Sequence, residues 1–114
     1  MQDCLFCNIV AGRLPAEILY QDHQVVVFKD IHPQAPVHLL IIPVKHIESL
    51  LDVSQADGEL MAELLLRTQA IAQELKLAQE GFRLVVNTGR NAGQAVYHLH
   101  LHLLGGRRLK WPPG

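Results

Sequence analysis

A chain of 114 residues is long enough to build one hydrophobic core and too short for two. Hydrophobic residues make up 49% of it and charged residues 18%, a balance that argues against intrinsic disorder. The formal net charge is −1, and the nearest approach to a basic cluster is GGRRLK at 105–110, so we expect no nucleic-acid partner. Because the sequence shows neither a signal peptide nor an apolar run of membrane-spanning length, we expect a cytoplasmic protein without membrane contact.

The first half of the chain predicts a short helix followed by three strands. The helix lies in LFCNIVAGRLP and ends near Gly12, because glycine and the following Pro15 interrupt helices. The runs EILYQD and QVVVFKD are rich in β-forming residues and are separated by polar residues, which predicts a hairpin. The apolar run HLLIIPV, with Pro36 before it and Pro43 near its end, predicts a mostly buried strand.

The second half predicts one long helix and two further strands. Ser54 followed by Asp57 is a helix-start signal, and the apolar residues beyond it recur at helical spacing, so we expect an amphipathic helix over 55–79. FRLVVNT and AVYHLHLHLL are the last two strands, joined by the loop GRNAGQ. Strands on both sides of one long helix predict an α+β fold with an antiparallel sheet, formed by a single domain over residues 1–114.

Three histidines, His98, His100 and His102, alternate with leucines in HLHLHLL. Alternate side chains of a strand share one face, so the three imidazoles are neighbours there. At about 3.3 Å of rise per residue the first and third lie roughly 13 Å apart, so a single metal ion would bind all three only around a sharp bend. Separate imidazoles along an extended phosphate ester fit this spacing better, with the central one as nucleophile. The alternative is a half-buried strand whose polar face is histidine by chance.

The loop before the histidines is rich in glycine and amide side chains. Asn87, Gly89, Gly93 and Gln94 lie between two predicted strands, where glycine allows backbone N–H groups to approach an anion closely. The same composition is typical of an ordinary hairpin loop. Its position directly before the histidines favours anion binding.

Cys4 and Cys7 are the only cysteines and form CLFC. In a reducing cytoplasm we expect them to be reduced or metal-bound rather than joined in a structural disulfide. The spacing suits three interpretations: a redox motif, two free thiols in an apolar helix, or half of a tetrahedral Cys2His2 zinc site. A redox motif of this kind ordinarily follows a strand of a βαβ unit, so that interpretation is the weakest here.

Over nearly its whole length the sequence resembles the histidine triad (HIT) family. GQAVYHLHLHLLGG is similar to the signature in which three alternating histidines follow a short Gly-Gln loop, and CLFCNIVAGRLPAEILYQD, DIHPQAPVHLLIIPVKHI, RLVVNTG and WPPG add to the likeness. The chain is most similar to the Hint branch, whose members are dimeric purine nucleoside phosphoramidases and nucleotidyl hydrolases. The resemblance implies a HIT fold with a short N-terminal helix, and a homodimer with the sheet continued or packed across the two-fold. It also implies a purine nucleotide or nucleotidyl conjugate as the bound partner.

The resemblance also implies the roles of individual residues. His100 would attack the α-phosphorus and form a nucleotidyl-histidine that water then cleaves, with His102 and His38 assisting. Asp30 would accept hydrogen bonds from the ribose hydroxyls. The phosphate contacts would be Asn87, Gly93 and Gln94, and the apolar purine pocket would consist of Leu5, Phe6, Ile9, Leu14, Ile18, Phe28 and Ile31. Core packing alone would also explain these apolar residues.

A structural zinc site follows from the same resemblance. In relatives that keep the cysteine pair, the histidine of PVKHI and the first triad histidine complete the site, which here implies Cys4, Cys7, His46 and His98 as ligands. This division leaves His100 uncoordinated, in agreement with the spacing argument. No organic cofactor is implied.

Two further positions bear on substrate choice. Ala95 stands where relatives often carry Ser or Thr, so a hydroxyl near the phosphate or leaving group is missing, and we expect an altered rate or substrate preference. Trp111 lies in the C-terminal tail, which in the resembling dimers extends toward the site of the neighbouring subunit. The alternative for this tail is a plain surface segment.

Three hypotheses about function remain at this point. The leading one is a hydrolase of purine nucleoside 5′-phosphoramidates or related nucleotidyl adducts, acting through a covalent histidine intermediate. The second is a metal-centred enzyme whose triad histidines hold iron or zinc, which a chelator would inactivate at once. The third is a non-catalytic nucleotide-binding or scaffold module, which would form no covalent adduct.

Overall fold

The computed structural model describes residues 3–114 and contains two α-helices and five strands in that range. In chain order these are α1 (Leu5–Val10), β1 (Ile18–Gln21), β2 (Val25–Lys29), β3 (Val37–Pro43), α2 (Gly58–Glu74), β4 (Phe82–Val85) and β5 (Leu101–Gly105). Two short 3-10 turns, Leu50–Asp52 and Gln55–Asp57, precede α2. Within the described residues, no helix has both the length and the apolar character needed to cross a membrane.

The strands form one sheet in the order β1-β2-β3-β5-β4, and every neighbouring pair is antiparallel. The predicted hairpin is confirmed as β1–β2. Asp22 shapes its turn, because its Oδ1 accepts hydrogen bonds from the backbone N–H groups of Gln24 and Val25 at 2.7 and 2.8 Å. The apolar run after Pro36 forms the buried central strand β3. The predicted α+β fold, with an antiparallel sheet, one long helix and a short N-terminal helix, is confirmed.

The sheet separates two apolar clusters. On one face α2 packs Leu64 and Ile71 against β2, β3 and β5. On the other face α1 packs Phe6 and Ile9 against β2 and β3. Because successive strand residues point to opposite faces, β3 supplies both clusters from alternate positions. A fully buried Leu or Ile contributes about 1.5–3 kcal/mol to folding, so packing on both faces stabilises the sheet.

The short helix α1 brings both cysteines to the sheet. Cys4 is its N-cap, and its Sγ accepts a hydrogen bond from the backbone N–H of Cys7 at 3.3 Å. The helix ends where the sequence predicts, since Gly12 follows it with a φ of +77°, in the left-handed region that favours glycine. Cys4 and Cys7 therefore lie in the first turn, at the end of α1 that contacts the histidine segment.

The long helix is shorter than the predicted 55–79. The start signal is confirmed, because Asp57 accepts from the backbone N–H of Ser54 at 3.0 Å, but the first turn is a 3-10 turn and the α-helix begins at Gly58. At the other end Lys76 takes a φ of +61°, and the N–H of Leu77 donates to the carbonyl of Ala72 at 2.9 Å. This is the hydrogen-bond pattern of a Schellman cap, which closes the helix and buries Leu77.

The last strand is also shorter than the predicted run AVYHLHLHLL. Sheet pairing begins only at Leu101, so His98 and His100 precede the strand and His102 lies within it. The N–H of Leu99 donates instead to the carbonyl of Ile47 at 2.6 Å. The alternation of the sequence is nevertheless kept, because Leu99, Leu101 and Leu103 are all buried in the cluster under α2.

Candidate active site and metal-ligand cluster

A cleft of about 440 Å³ opens on the α1 face of the sheet. This volume lies within the usual range for a small-molecule site. Its apolar wall includes Leu5, Phe6, Ile9, Leu14, Phe28 and Ile31, all residues of the predicted purine pocket. Ile18 does not line the cleft and lies in β1 with 41% of its surface exposed. The opposite side of the cleft is polar and contains Asp30, Asn87, His100 and His102.

His100 is held with one ring nitrogen toward the backbone. Its Nδ1 lies 2.7 Å from the carbonyl oxygen of His98, and only 7% of the residue is exposed. Because a carbonyl can only accept, Nδ1 carries the proton, and the lone pair of the neutral ring is on Nε2. The ring of Phe6 packs edge-on against it, with centroids 5.2 Å apart. His100 therefore lines the cleft with the lone pair of its neutral ring on Nε2.

His38 and His102 form a hydrogen-bonded pair beside it. The β3–β5 register pairs Leu40 with His102, which places His38 one step away on the same face. The backbone N–H of Gln34 donates to Nδ1 of His38 at 3.0 Å, so the proton of that ring is on Nε2. This Nε2 lies 2.9 Å from Nδ1 of His102, which must accept. One backbone amide thus fixes both tautomers and leaves an N–H on Nε2 of His102.

Burial keeps both rings of this pair neutral. Burial, with a smaller contribution from the neighbouring His100 and His38, lowers the pKa of His102 to about 4. Burial also lowers the pKa of His38, against the opposing effect of the Asp30 carboxylate. At neutral pH the two imidazoles are therefore hydrogen-bond partners rather than cations.

Asp30 follows β2 at the edge of the cleft. One carboxylate oxygen accepts the backbone N–H of His32 at 2.8 Å, and the other lies 3.4 Å from Nε2 of His38. A carboxylate has about four acceptor positions, so lone pairs remain toward the cleft. Asp30 can therefore accept hydrogen bonds from ligand hydroxyl groups.

The glycine-containing loop approaches the cleft differently from the sequence prediction. Asn87 and Gly93 line it, but Gln94 does not and is only 7% exposed. The backbone N–H groups of the two glycines are used inside the loop: Gly89 donates to the side chain of Gln94, and Gly93 donates to the carbonyl of Arg90. Ala95 and Val96 also line the cleft, and their N–H groups have no acceptor within the described residues.

Several residues that line the cleft are not marked by any pattern in the sequence. Loop and rim residues complete the cleft, namely Pro15, Ala16, Lys29, His32, Leu40 and Val96. Leu40 could have been inferred from the alternation of β3. Lys29 is the last residue of β2, and the others lie in loops, whose packing leaves no periodic signal. Trp111 lies outside the cleft and is 82% exposed. Its contact with a neighbouring subunit stays a prediction.

The four predicted metal ligands meet at the other end of the histidine segment. The ligand atoms of Cys4, Cys7, His46 and His98 all lie within 4.8 Å of one another. Sγ of Cys4 is 3.3 Å from Nδ1 of His98, and Nδ1 of His46 is 3.2 Å from the same atom. The fold thus brings together two thiols at the start of α1, one imidazole from the segment after β3 and one from the segment before β5.

The chemistry of this cluster fits a metal ion. His98 is fully buried, and its Nε2 donates to the carbonyl of Pro43 at 2.8 Å, so the lone pair on Nδ1 faces the other ligands. Metal-binding histidines are ordinarily oriented by such a second hydrogen bond. Without a cation, burial and the neighbouring Cys4 raise the pKa of the Cys7 thiol. A cation would reverse that effect by stabilising the thiolates, so these four residues could hold a metal ion.

A second set, Asp30, His38 and His102, also brings its ligand atoms within 4.8 Å. The ring proton of His38 lies on Nε2, where a metal ion would need a lone pair. A cation on Nε2 of His38 would require the ring proton on Nδ1, where it would face the backbone N–H of Gln34, another donor. The geometry therefore favours a hydrogen-bonded pair at this position.

The comparisons with known proteins agree with this architecture. The HIT domain family matches residues 11–109. An uncharacterized HIT-like protein of Synechococcus elongatus is 49% identical over 113 residues, which cover 99% of this chain and 98% of that protein. A HIT family hydrolase from Legionella pneumophila is 52% identical with a TM-score of 0.97, covering 98% of this chain and 100% of its own. A histidine triad nucleotide-binding protein from Candida albicans is 30% identical with a TM-score of 0.83, covering 96% and 83%. This chain belongs to the histidine triad (HIT) family.

Proposed function

We propose that this protein hydrolyses purine nucleoside 5′-phosphoramidates or related nucleotidyl adducts through a nucleotidyl intermediate on His100. The observation that carries the proposal is the hydrogen bond from Nδ1 of His100 to the carbonyl of His98 at 2.7 Å. It gives the lone pair to Nε2 in a neutral ring, which is the form that attacks phosphorus. The Legionella pneumophila relative is named a hydrolase and the Candida albicans relative a nucleotide-binding protein, which supports the same class of activity.

The cleft would bind the nucleoside in two parts. A purine would lie against the apolar wall formed by Phe6, Ile9 and Phe28, and the ribose hydroxyls would donate to Asp30. Apolar walls with a few fixed polar groups are typical of small-molecule sites. This division predicts that the base is recognised by shape and the sugar by hydrogen bonds.

The α-phosphate would lie between the loop and the histidines. Ala95, Val96, Asn87 and His102 line that side of the cleft, and their N–H groups would be the donors to it. Prearranged donors stabilise the negative charge that develops on phosphoryl oxygens during transfer. Nε2 of His100 would form a bond to phosphorus as the P–N bond breaks, and the leaving amine would take the proton it needs from a water molecule. Water would then cleave the phosphorus–histidine bond and restore the ring.

The ion of the cysteine–histidine cluster is proposed to be zinc in a structural site. Two thiolates and two imidazoles are the donor set that Zn²⁺ binds tetrahedrally, with no position left for a substrate. When bound, it would join α1 to the histidine segment. The proposed reaction steps use the protein's own side chains in the cleft.

Rapid-quench trapping tests the proposal. Adenosine 5′-phosphoramidate labelled at phosphorus should transfer its label to the protein within one turnover, giving an adduct that is labile in acid and stable in base. His100→Ala should give no adduct. His23→Ala is the matched control, because this exposed histidine lies in the β1–β2 turn and its loss should leave the adduct unchanged.

The two remaining hypotheses predict other results. A non-catalytic nucleotide-binding module would bind adenosine 5′-monophosphate and give no adduct in the parent protein. A metal-centred enzyme would lose turnover as soon as a chelator is added, whereas the proposed mechanism retains turnover for as long as the fold persists.

A further inference from the structure

Gln94 closes the loop 89–94 on itself. Its backbone N–H donates to the carbonyl of Gly89 at 3.1 Å, and its side-chain Oε1 accepts the N–H of Gly89 at 3.0 Å. Gly89 and Gly93 have φ angles of +79° and +77°, so glycine occupies both left-handed positions of this loop. The loop is therefore held in one shape by a reciprocal pair of hydrogen bonds.

The amide nitrogen of the same side chain is fully used elsewhere. Nε2 donates to the carbonyl of Glu48 at 2.8 Å and to the carbonyl of Val96 at 3.1 Å. A primary amide has two N–H donors, and both are accounted for by these two acceptors. Gln94 is also only 7% exposed and does not line the cleft. Its side chain consequently has no donor to offer a phosphate.

The three partners of Gln94 lie in different functional segments. Gly89 belongs to the loop beside Asn87, Val96 borders the cleft, and Glu48 lies two residues after the metal-cluster histidine His46. Removing the Gln94 amide would leave the carbonyls of Glu48 and Val96 without this donor, and the N–H of Gly89 without its acceptor. The loop, the cleft wall and the metal-cluster segment are thus joined through one side chain.

We propose that Gln94 is a positioning residue: it does not touch the phosphate, and it holds the loop and the 95–96 backbone in the shape that binds it. This inference rests on the proposed function, since the anion is taken to be the phosphate of a nucleotide. It replaces the direct phosphate contact that the family resemblance implies. It also predicts that Gln94 affects phosphate binding and leaves nucleoside binding nearly unchanged.

The test uses Gln94→Met, which keeps the length of the side chain and removes all three of its hydrogen bonds. Gln73→Met is the matched control, because Gln73 is exposed on α2. The amide exchange rate of Gly89 is measured in the ligand-free full-length protein. The dissociation constants for adenosine 5′-monophosphate and for adenosine are then measured by titrating each ligand into the same protein.

We expect Gly89 exchange to accelerate at least about tenfold, in line with one lost hydrogen bond of about 1.4 kcal/mol. The dissociation constant of adenosine 5′-monophosphate should rise about tenfold and that of adenosine less than about twofold. A weakened affinity for the monophosphate with unchanged Gly89 exchange would mean that Gln94 contacts the phosphate itself, and would overturn the inference. Unchanged affinity for both ligands would overturn it as well.

Two further results are decisive. If Gln94→Met does not fold, Gln94→Asn gives the same test, because the amide is retained on a side chain one methylene too short to reach Gly89 and Glu48 together. A parent protein that binds neither adenosine nor its monophosphate would overturn the proposed function, and the present inference with it. A parent protein that binds both, together with an unaffected variant, would overturn the positioning role alone.

Discussion

Two pairs of histidines in this protein have almost the same separation and opposite chemistry. Nδ1 of His46 lies 3.2 Å from Nδ1 of His98, and Nε2 of His38 lies 2.9 Å from Nδ1 of His102. The His38–His102 contact is a hydrogen bond in which Nε2 of His38 donates its proton to Nδ1 of His102. In the His46–His98 contact, the buried His98 directs the lone pair of Nδ1 toward its neighbours, an arrangement that a cation would stabilise.

The difference originates in the backbone group at the far side of each ring. The carbonyl of Pro43 draws the proton of His98 to Nε2, away from the cluster. The N–H of Gln34 donates to Nδ1 of His38, so the ring proton is on Nε2, in the contact with His102. The geometry of imidazoles alone therefore does not identify a metal site. The hydrogen-bond partner of the remote nitrogen distinguishes a ligand from a proton donor.

The largest expected effect comes from breaking the cluster. Cys4→Ala should reduce bound zinc from one equivalent to none after dialysis against a weak chelator, measured by elemental analysis. Structural zinc sites contribute roughly 10 kcal/mol or more in small domains, so the melting temperature should also fall sharply. His23→Ala should retain both metal and stability. Full metal content in the Cys4 variant would mean that the cluster is not the metal site.

An intermediate effect is expected from titrating the other pair. The pKa of His102 is about 4 in the folded protein, and that of His38 is also lowered, whereas both are near 6.5 in the unfolded chain. Between pH 6.5 and 4 the unfolded chain binds more protons, so the free energy of unfolding falls as the pH falls through this window. The slope should be at most about 1.4 kcal/mol per pH unit for each proton.

His102→Asn checks this assignment by urea unfolding at several pH values in the same metal buffer. The metal contribution is common to both proteins, so it cancels in the difference between them. The variant should lose less stability on acidification than the parent does. Equal slopes for the two proteins would contradict the neutral, buried assignment of His102.

The smallest effect is expected at Ala95, which lines the cleft. Ala95→Ser introduces the hydroxyl that the family resemblance implies at this position, and the proposed function predicts one added hydrogen bond near the phosphate or leaving amine. A neutral hydrogen bond of about 0.5–1.5 kcal/mol corresponds to a gain of roughly 2- to 12-fold in kcat/KM. Steady-state rates on phosphoramidates with good and poor leaving amines measure it. No gain with any leaving group would exclude a role for this hydroxyl.

Local patterns predicted the elements whose ends are marked in the sequence. Gly12 ends α1, Asp22 turns the first hairpin, and Ser54 with Asp57 starts the long helix. The end of that helix carried no such mark, because the left-handed position of its cap is occupied by Lys76 and not by glycine. The alternation of histidine and leucine also ran on past the point where sheet pairing stops, since period alone does not show which residues have a neighbouring strand.

The candidate site was predictable as a set of residues and not as a set of contacts. The histidine and cysteine spacings, with the family resemblance, predicted the four residues of the cluster and many that line the cleft, whereas Ile18 and Gln94 lie outside it. The contact of His38 with His102 depends on the β3–β5 register, which joins positions 64 residues apart. The inward role of Gln94 depends on three loop contacts, and no spacing in GRNAGQ distinguishes it from a side chain that faces a ligand.

The alternation of residues 98–103 couples the packing of the core to the arrangement of the candidate site. Leu99, Leu101 and Leu103 support α2, while the intervening histidines serve the metal cluster and the cleft. A one-residue insertion or deletion here would send imidazoles into the hydrocarbon interior and leucines into the polar cleft. We therefore expect this segment to tolerate only substitutions that keep the two-residue period. Insertions and deletions should be tolerated in the loop before it instead.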